Sequence, residues 1–338
     1  MLTDMLQPRL VELGKIKIGG LGDVRTNAQG KQWRLPRKDD HFTITTMHRE
    51  NAQGGARGDL VIDNDLMEEL AKRHGDKDGL LRKIPIYLLS DDIEDIMQSS
   101  WCCYSGQRML ARSDGKETTW LGDPRTGQMY QQPIITEWKP DTPTTFVDDK
   151  GNPYFKKHTV FNCVIASEQA RWGGVYKFRT TSKISADQLY GSLSLIAKMT
   201  RGVFVGIQML ITVRPMQVAP QGKPTNIYVV SCELMGRDML AIQTQALKAI
   251  EMNLQQAKRI DHINTEFKRL ICSPGFEDEV EAAEVQQEFH PDVEANGKVE
   301  TLPIGNVDLK APKASLEDPQ ADAMAVTKMM EYFQKLGV

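Results

Sequence analysis

Long apolar runs are missing from this 338-residue chain, and a bilayer span needs ~20 consecutive apolar residues. The longest such stretch, Val203 to Val213, is interrupted by Gly206, Gln208 and Thr212. Met1 to Leu13 carries Asp4, Arg9 and Glu12, so it does not read as a signal-peptide core. No membrane association is expected, and the host cytosol is the expected location. Cysteine is scarce too. Cys102, Cys103, Cys163, Cys232 and Cys272 show no framework spacing, which excludes a disulfide scaffold and points to reduced thiols.

The motifs of common chemistry are also absent. There is no G-x-x-x-x-G-K-[ST], and Gly19-Gly20-Leu21-Gly22 lacks the third glycine of a dinucleotide fingerprint; it reads as a tight turn after a strand. No H-E-x-x-H, C-x-x-C or G-x-S-x-G occurs. Asp39, Asp40, His41 and His48 form the best local cluster of metal-ligand types, but a strand end separates the two histidines. Asp91-Asp92-Ile93-Glu94-Asp95 reads as the acidic first turn of a helix begun at Ser90, where carboxylates favour the dipole. The chain is therefore expected not to be an enzyme, and no cofactor or metal is expected.

What the sequence does have is uneven charge. The net is −3, yet Glu277 to Asp322 holds 13 acidic and 3 basic residues, which leaves the remainder at +7. A mildly basic body joined to an acidic arm follows. The body, residues 1–235, reads mainly as strands with a few helices. Lys15 to Ile18, His41 to Thr45, Ile84 to Leu89, Thr159 to Ile165, Gly174 to Thr180, Val203 to Arg214 and Asn226 to Leu234 have strand character. Pro85 suggests that its strand lies at an edge. Asp63 or Asn64 caps a helix through Leu66, Leu70 and His74, stopped by Gly75. Ser185-Ala186-Asp187-Gln188 is a capping-box pattern opening a helix closed by Gly202. A loop-rich insertion with a hairpin is expected over 113–158. Beyond the body, helical spacing runs from Arg237 to about Ile271, an acidic flexible linker covers 273–320, and 321–338 reads as a short amphipathic helix. The fold class is α+β: a mostly antiparallel β-sheet core, a long C-terminal helix and a flexible acidic arm.

The most suggestive stretch runs from Arg171 to Lys183. Along a strand, Tyr176, Phe178 and Thr180 share one face, and Lys177 and Arg179 the other. Single-strand binders stack bases on such aromatics and hold phosphates with such cations. The plainer alternative makes Tyr176 and Phe178 core and the cations a solvated face. Arg171, Trp172, Tyr176, Lys177, Phe178, Arg179 and Lys183 are the candidate nucleic-acid or partner contacts.

Several segments occur together in order: Lys15-Ile16-Lys17-Ile18-Gly19-Gly20, Asp40 to Thr45, Ile84 to Glu94, Tyr104-Ser105-Gly106 with Ser113-Asp114-Gly115, then Gly173 to Ser182. Over roughly residues 15 to 235 their order resembles the bacteriophage recombination directionality factor-like family. The resemblance implies a partner: better-known members switch large serine integrases from integration to excision, while other relatives are labelled hydrolase or metal-binding phage proteins. Many relatives carry several cysteines in the stretch corresponding to 113–165, suggestive of zinc. Here only Cys163 lies there, and one thiolate cannot hold the ion tetrahedrally. The expected role is a non-enzymatic accessory of DNA recombination, acting on a serine integrase or another phage DNA-processing protein, with DNA itself a further expected contact. The alternative is a single-stranded nucleic-acid binding protein of phage replication.

Overall fold

The computed structural model describes residues 10–26, 32–50, 59–105, 108–124, 126–147, 153–219, 224–236 and 238–255, together with Ile263, Thr265 and Phe267. The expected acidic arm and terminal helix lie outside them. Strands dominate. In chain order the elements are β1 (Glu12–Lys17), β2 (Gly20–Thr26), β3 (Gln32–Arg37), β4 (Thr43–Glu50), β5 (Asp59–Ile62), α1 (Asn64–His74), β6 (Lys83–Tyr87), α2 (Ile93–Ile96) and β7 (Met97–Ser105). Then come β8 (Arg108–Ser113), β9 (Glu117–Gly122), β10 (Met129–Glu137), α3 (Thr142–Thr145), β11 (Phe155–Ile165) and β12 (Val175–Thr180). The last are α4 (Lys183–Thr200), β13 (Met209–Val218), β14 (Thr225–Leu234) and α5 (Met239–Gln255).

Among the described residues, twelve strands form one sheet: nine run in the order β10-β9-β8-β7-β11-β12-β1-β4-β5, and β6, β13 and β14 branch from that path, while β2 and β3 pair separately. The pairings are antiparallel except β1 with β12. The sheet forks at β11. That strand pairs with β7 over Phe155 to Phe161, with β12 over Thr159 to Cys163, and at Val164 and Ile165 with β6, which leads to β13 and β14.

One face of the sheet carries the main core. Ile16, Ile44, Phe161, Tyr176 and Phe178 from the strands cluster with Leu66 and Leu70 of α1 and Leu189, Leu193 and Ile196 of α4. The two helices that cover the core, α1 and α4, each have a local reason to start and stop. Asp63 accepts from the backbone N–H of Leu66 at 3.3 Å to cap α1, and Gly75 ends it. At α4 the cap is Ser182, which accepts from Ser185 N–H, so the helix begins one turn before the expected capping box. Arg201 (φ 58°) and Gly202 (φ 87°) close it in the left-handed region.

Other expectations need correction. Pro85 does not mark an edge, since β6 is paired on both sides by β11 and β13. Its carbonyl accepts from Ala166, just beyond the end of β11. In an antiparallel strand a residue's N and O point to the same side, so the missing donor falls where the β11 ladder stops. Val203 to Ile207 is loop rather than strand, with Val203, Phe204 and Ile207 buried and Val205 exposed. The stretch 113–158 contains the β9–β10 hairpin, α3 and the start of β11. Trp101, Trp120, Trp138, Phe146, Tyr154 and Phe155 pack there into a second core, with Trp101 stacked on Trp138 at 5.7 Å. Of the long helical pattern, Met239–Gln255 is described as α5, and Ile263, Thr265 and Phe267 are helical.

Replacing buried Leu193 with alanine removes packing between α4 and the sheet and is expected to cost roughly 2–5 kcal/mol. Leu195→Ala, two residues on but 60% exposed, should stay within about 0.5 kcal/mol of the wild type. Urea unfolding of both variants makes the comparison, and similar losses would show that α4 packs through another face.

Candidate functional site

The seven expected contact residues divide into three groups. Tyr176 and Phe178 are 0% and 1% exposed, members of the main core, so neither presents a ring face to a ligand. The Tyr176 hydroxyl accepts from the backbone N–H of Arg171 at 3.4 Å and thereby holds the β11–β12 turn. Lys177 and Arg179 point to the opposite face of the sheet, into an ion cluster. Arg171 and Trp172 sit on the turn itself, and Lys183 lies at the first turn of α4.

The ion cluster centres on Glu12. Arg179 grips its carboxylate with two parallel hydrogen bonds of 3.0 and 3.1 Å, Lys177 lies 3.1 Å away and Lys15 4.0 Å. A regular strand would point Glu12 and Lys15 to opposite faces, because their separation is odd. An irregularity in the β1–β12 register between Glu12 and Gly14 brings them to the same side. Gly14 also permits the strands to meet closely: a β-carbon there would lie 2.3 Å from the Thr45 carbonyl and 2.9 Å from the Tyr176 ring. Burial alone would raise the Glu12 pKa, but the fields of Arg179 and Lys177 and their hydrogen bonds outweigh it and hold the carboxyl below its ordinary value.

Strand register extends this face. Asn162 lies opposite Lys177 and Lys177 opposite Lys15, while Val160 lies between Gln98 and Arg179. His158 pairs with Ser100, and Lys156 with Cys102, which in turn pairs with Arg112. The result is a row of cations, Lys15, Lys177, Arg179, Lys156 and Arg112, crossing the central strands from β1 to β8. Burial first, then the fields of Lys156 and Arg179, lower the His158 pKa to about 4, so its imidazole is neutral at physiological pH. The Asn162 Oδ1 and Thr45 Oγ1 atoms are buried without a hydrogen-bond partner.

Sequence reasoning found Lys177 and Arg179 but missed Glu12, Lys15, His158 and Asn162. A strand flanked on both sides that carries two cations on one face calls for a nearby carboxylate. Which carboxylate is a matter of topology, and Glu12 lies 167 residues from Arg179.

The remaining polar groups serve the fold. Asp91 accepts from the backbone N–H groups of Phe204 and Val205 at 2.7 and 2.8 Å, Asp92 caps α2, and buried Asp95 accepts from Ser90. The acidic run thus fastens a loop to the core. Asp40 binds His41 at 2.9 Å and pairs with Arg82, which hold its pKa near 2. Among the described residues the cysteines are buried and none forms a disulfide. Burial pushes the Cys103 thiol up to about 12 and raises those of Cys163 and Cys232, so these sulfurs remain protonated and poorly nucleophilic.

Together these features define an α+β protein on one large, mostly antiparallel sheet, with an apolar face under helices and a cation-rich face opposite. The chain belongs to the recombination directionality factor-like family: the family model described as Gp3-like, recombination directionality factor-like, matches residues 13–235. No curated protein and no solved structure matches it.

Two predictions test the cluster. Glu12→Gln strips the carboxylate from its buried cation partners and is expected to cost roughly 3–5 kcal/mol in chemical denaturation; a loss below about 1 kcal/mol would mean that the cations are satisfied without it. His158 binds its proton less readily folded than unfolded. Its contribution is complete above pH 6.5 and declines as the pH falls toward about 4, a change of about 3 kcal/mol. His158→Gln should therefore flatten the stability profile across that window, and an unchanged slope would place the titration elsewhere.

Proposed function

We propose that this protein is a non-enzymatic accessory of phage DNA recombination that binds a serine integrase–DNA complex in the host cytosol and biases its direction. The observation that carries this reading is the extent of the family match. Residues 13–235 begin within β1 and end just after β14, so the matched unit is the whole sheet with its helical cover.

Bias demands no reacting group. If the protein binds the excision assembly more tightly than the integration assembly, the equilibrium between them moves by the ratio of the two affinities. About 3 kcal/mol of difference is a shift of more than a hundredfold. The contact residues favoured for this role lie outside the core: Arg171 and Trp172 on the β11–β12 turn and Lys183 at the start of α4. A role in binding single-stranded nucleic acid is a second reading. The half-buried Lys156 and Arg112 at one end of the cation row support it, whereas the Lys15 and Arg179 side chains are buried and the burial of Tyr176 and Phe178 takes away its stacking platform.

The test uses the purified protein with the serine integrase encoded in the same genome and both pairs of attachment sites. Adding the protein should promote recombination of the hybrid sites and suppress that of the original pair. Unaltered product ratios at saturating protein would refute the proposal. Strong, salt-sensitive binding to unstructured oligonucleotides without effect on the integrase would favour the second reading.

A further inference from the structure

We infer that Trp172 is the anchor through which this protein docks on the protein component of its recombination assembly, inserting into an apolar pocket of the integrase rather than stacking on DNA. The inference rests on the functional reading above and gives it a contact residue.

Trp172 is 72% exposed, a large apolar surface held out in solvent. The turn that presents it is rigidly built. The Glu69 carboxylate on α1 accepts from the backbone N–H of Gln169 at 3.0 Å and of Glu168 at 3.4 Å, and from the Ser167 hydroxyl. The Arg171 N–H donates to buried Tyr176, while its guanidinium donates to the Leu13 carbonyl at 3.2 Å. Gly173, at φ 97°, turns the chain back, and Gly174 passes so close to Val11 that a β-carbon would lie 2.3 Å from its carbonyl oxygen. A backbone fixed this way leaves only the two torsions of the Trp172 side chain to be ordered on binding, so more of its buried area appears as affinity.

The surroundings favour protein over nucleic acid. The charges beside the turn are matched within it: Arg171 lies 3.5 Å from Asp63, and Arg73 lies 3.1 Å from Glu168 and 3.5 Å from Glu69. These paired charges leave no surplus of cations on the turn to hold a phosphate backbone, the main source of attraction between proteins and DNA. Instead the neighbours include exposed apolar side chains. Val11 is 58% exposed, with its carbonyl bonded to Val175, and Ile62 is 46% exposed beside Asp63. A tryptophan on a fixed turn, amid apolar and charge-neutral surface, is the composition of an interface anchor.

Affinities of the integrase for the wild-type chain and for Trp172→Ala and Trp172→Phe, measured by biolayer interferometry with and without attachment-site DNA, test this. The expected result is roughly 30-fold weaker binding for Trp172→Ala, the loss that marks an anchor, in both conditions. Trp172→Phe should recover most of the affinity, and neither variant should shift the thermal midpoint. Wild-type affinity for Trp172→Ala, or a loss seen only with DNA present, would overturn the inference while leaving the functional reading intact. Failure of the wild-type chain to bind the integrase at all would remove both.

Discussion

The Glu12 carboxylate and the cations around it determine how this sheet can be assembled. β1 and β12 form the parallel junction between the strands that lead to β5 and those that lead to β10, and Glu12 spans it in a two-pronged bond with Arg179. With side-chain exposures of 10% and 6%, both ions have given up most of their hydration. Such a pair repays its desolvation through good geometry, and it penalises every arrangement that leaves either partner alone. A one-residue slip of β1 along β12 would turn Glu12 away from Arg179 and move Ile16 out of the core. The ion pair and the hydrophobic pattern therefore select the same register.

This constraint sorts the central strands into two chemical faces. On β12, Tyr176 and Phe178 complete the core beneath the helices, while Lys177 and Arg179 supply the opposite side. The cations suit the site because nearby groups adapt to them: Glu12 stays ionised, and His158 stays neutral rather than adding another positive charge. A neutral imidazole next to two cations costs nothing at neutral pH and becomes a liability in acid. Folding stability and the charge of this buried cluster are thus linked through the same residues.

Local features were legible in the sequence and distant ones were not. Asp63 and Gly75 bound α1 as expected, because capping needs partners only a few residues away. The strands around Lys15, Thr43, Thr159, Val175 and Thr225 follow from alternation. Alternation also divided Tyr176 and Phe178 from Lys177 and Arg179, but it could not say which side the helices cover. The position of β6 went unread for a related reason. Proline argues for an edge only if both sides of the strand need its donor, and here the side lacking it coincides with the end of β11. Glu12 was invisible as a site residue because a short strand near the N-terminus gives no sign of pairing with one 167 residues away.

The distribution of rigidity bears on function. On the proposed reading the protein must recognise one assembly over another, and such a contact surface needs a fixed shape more than a reactive group. The β11–β12 turn meets that need because the strands beneath it are committed on both faces: Tyr176 is locked in the core and bonds back to Arg171, and the next residue is held by Glu12. Movement of the turn would have to disturb either the core or the buried ions. The same two strands that carry the buried ion cluster hold Arg171 and Trp172 in place at their end. In this fold the polar cluster fixes what stands above it, and on the proposed reading that fixed turn is what a partner would meet.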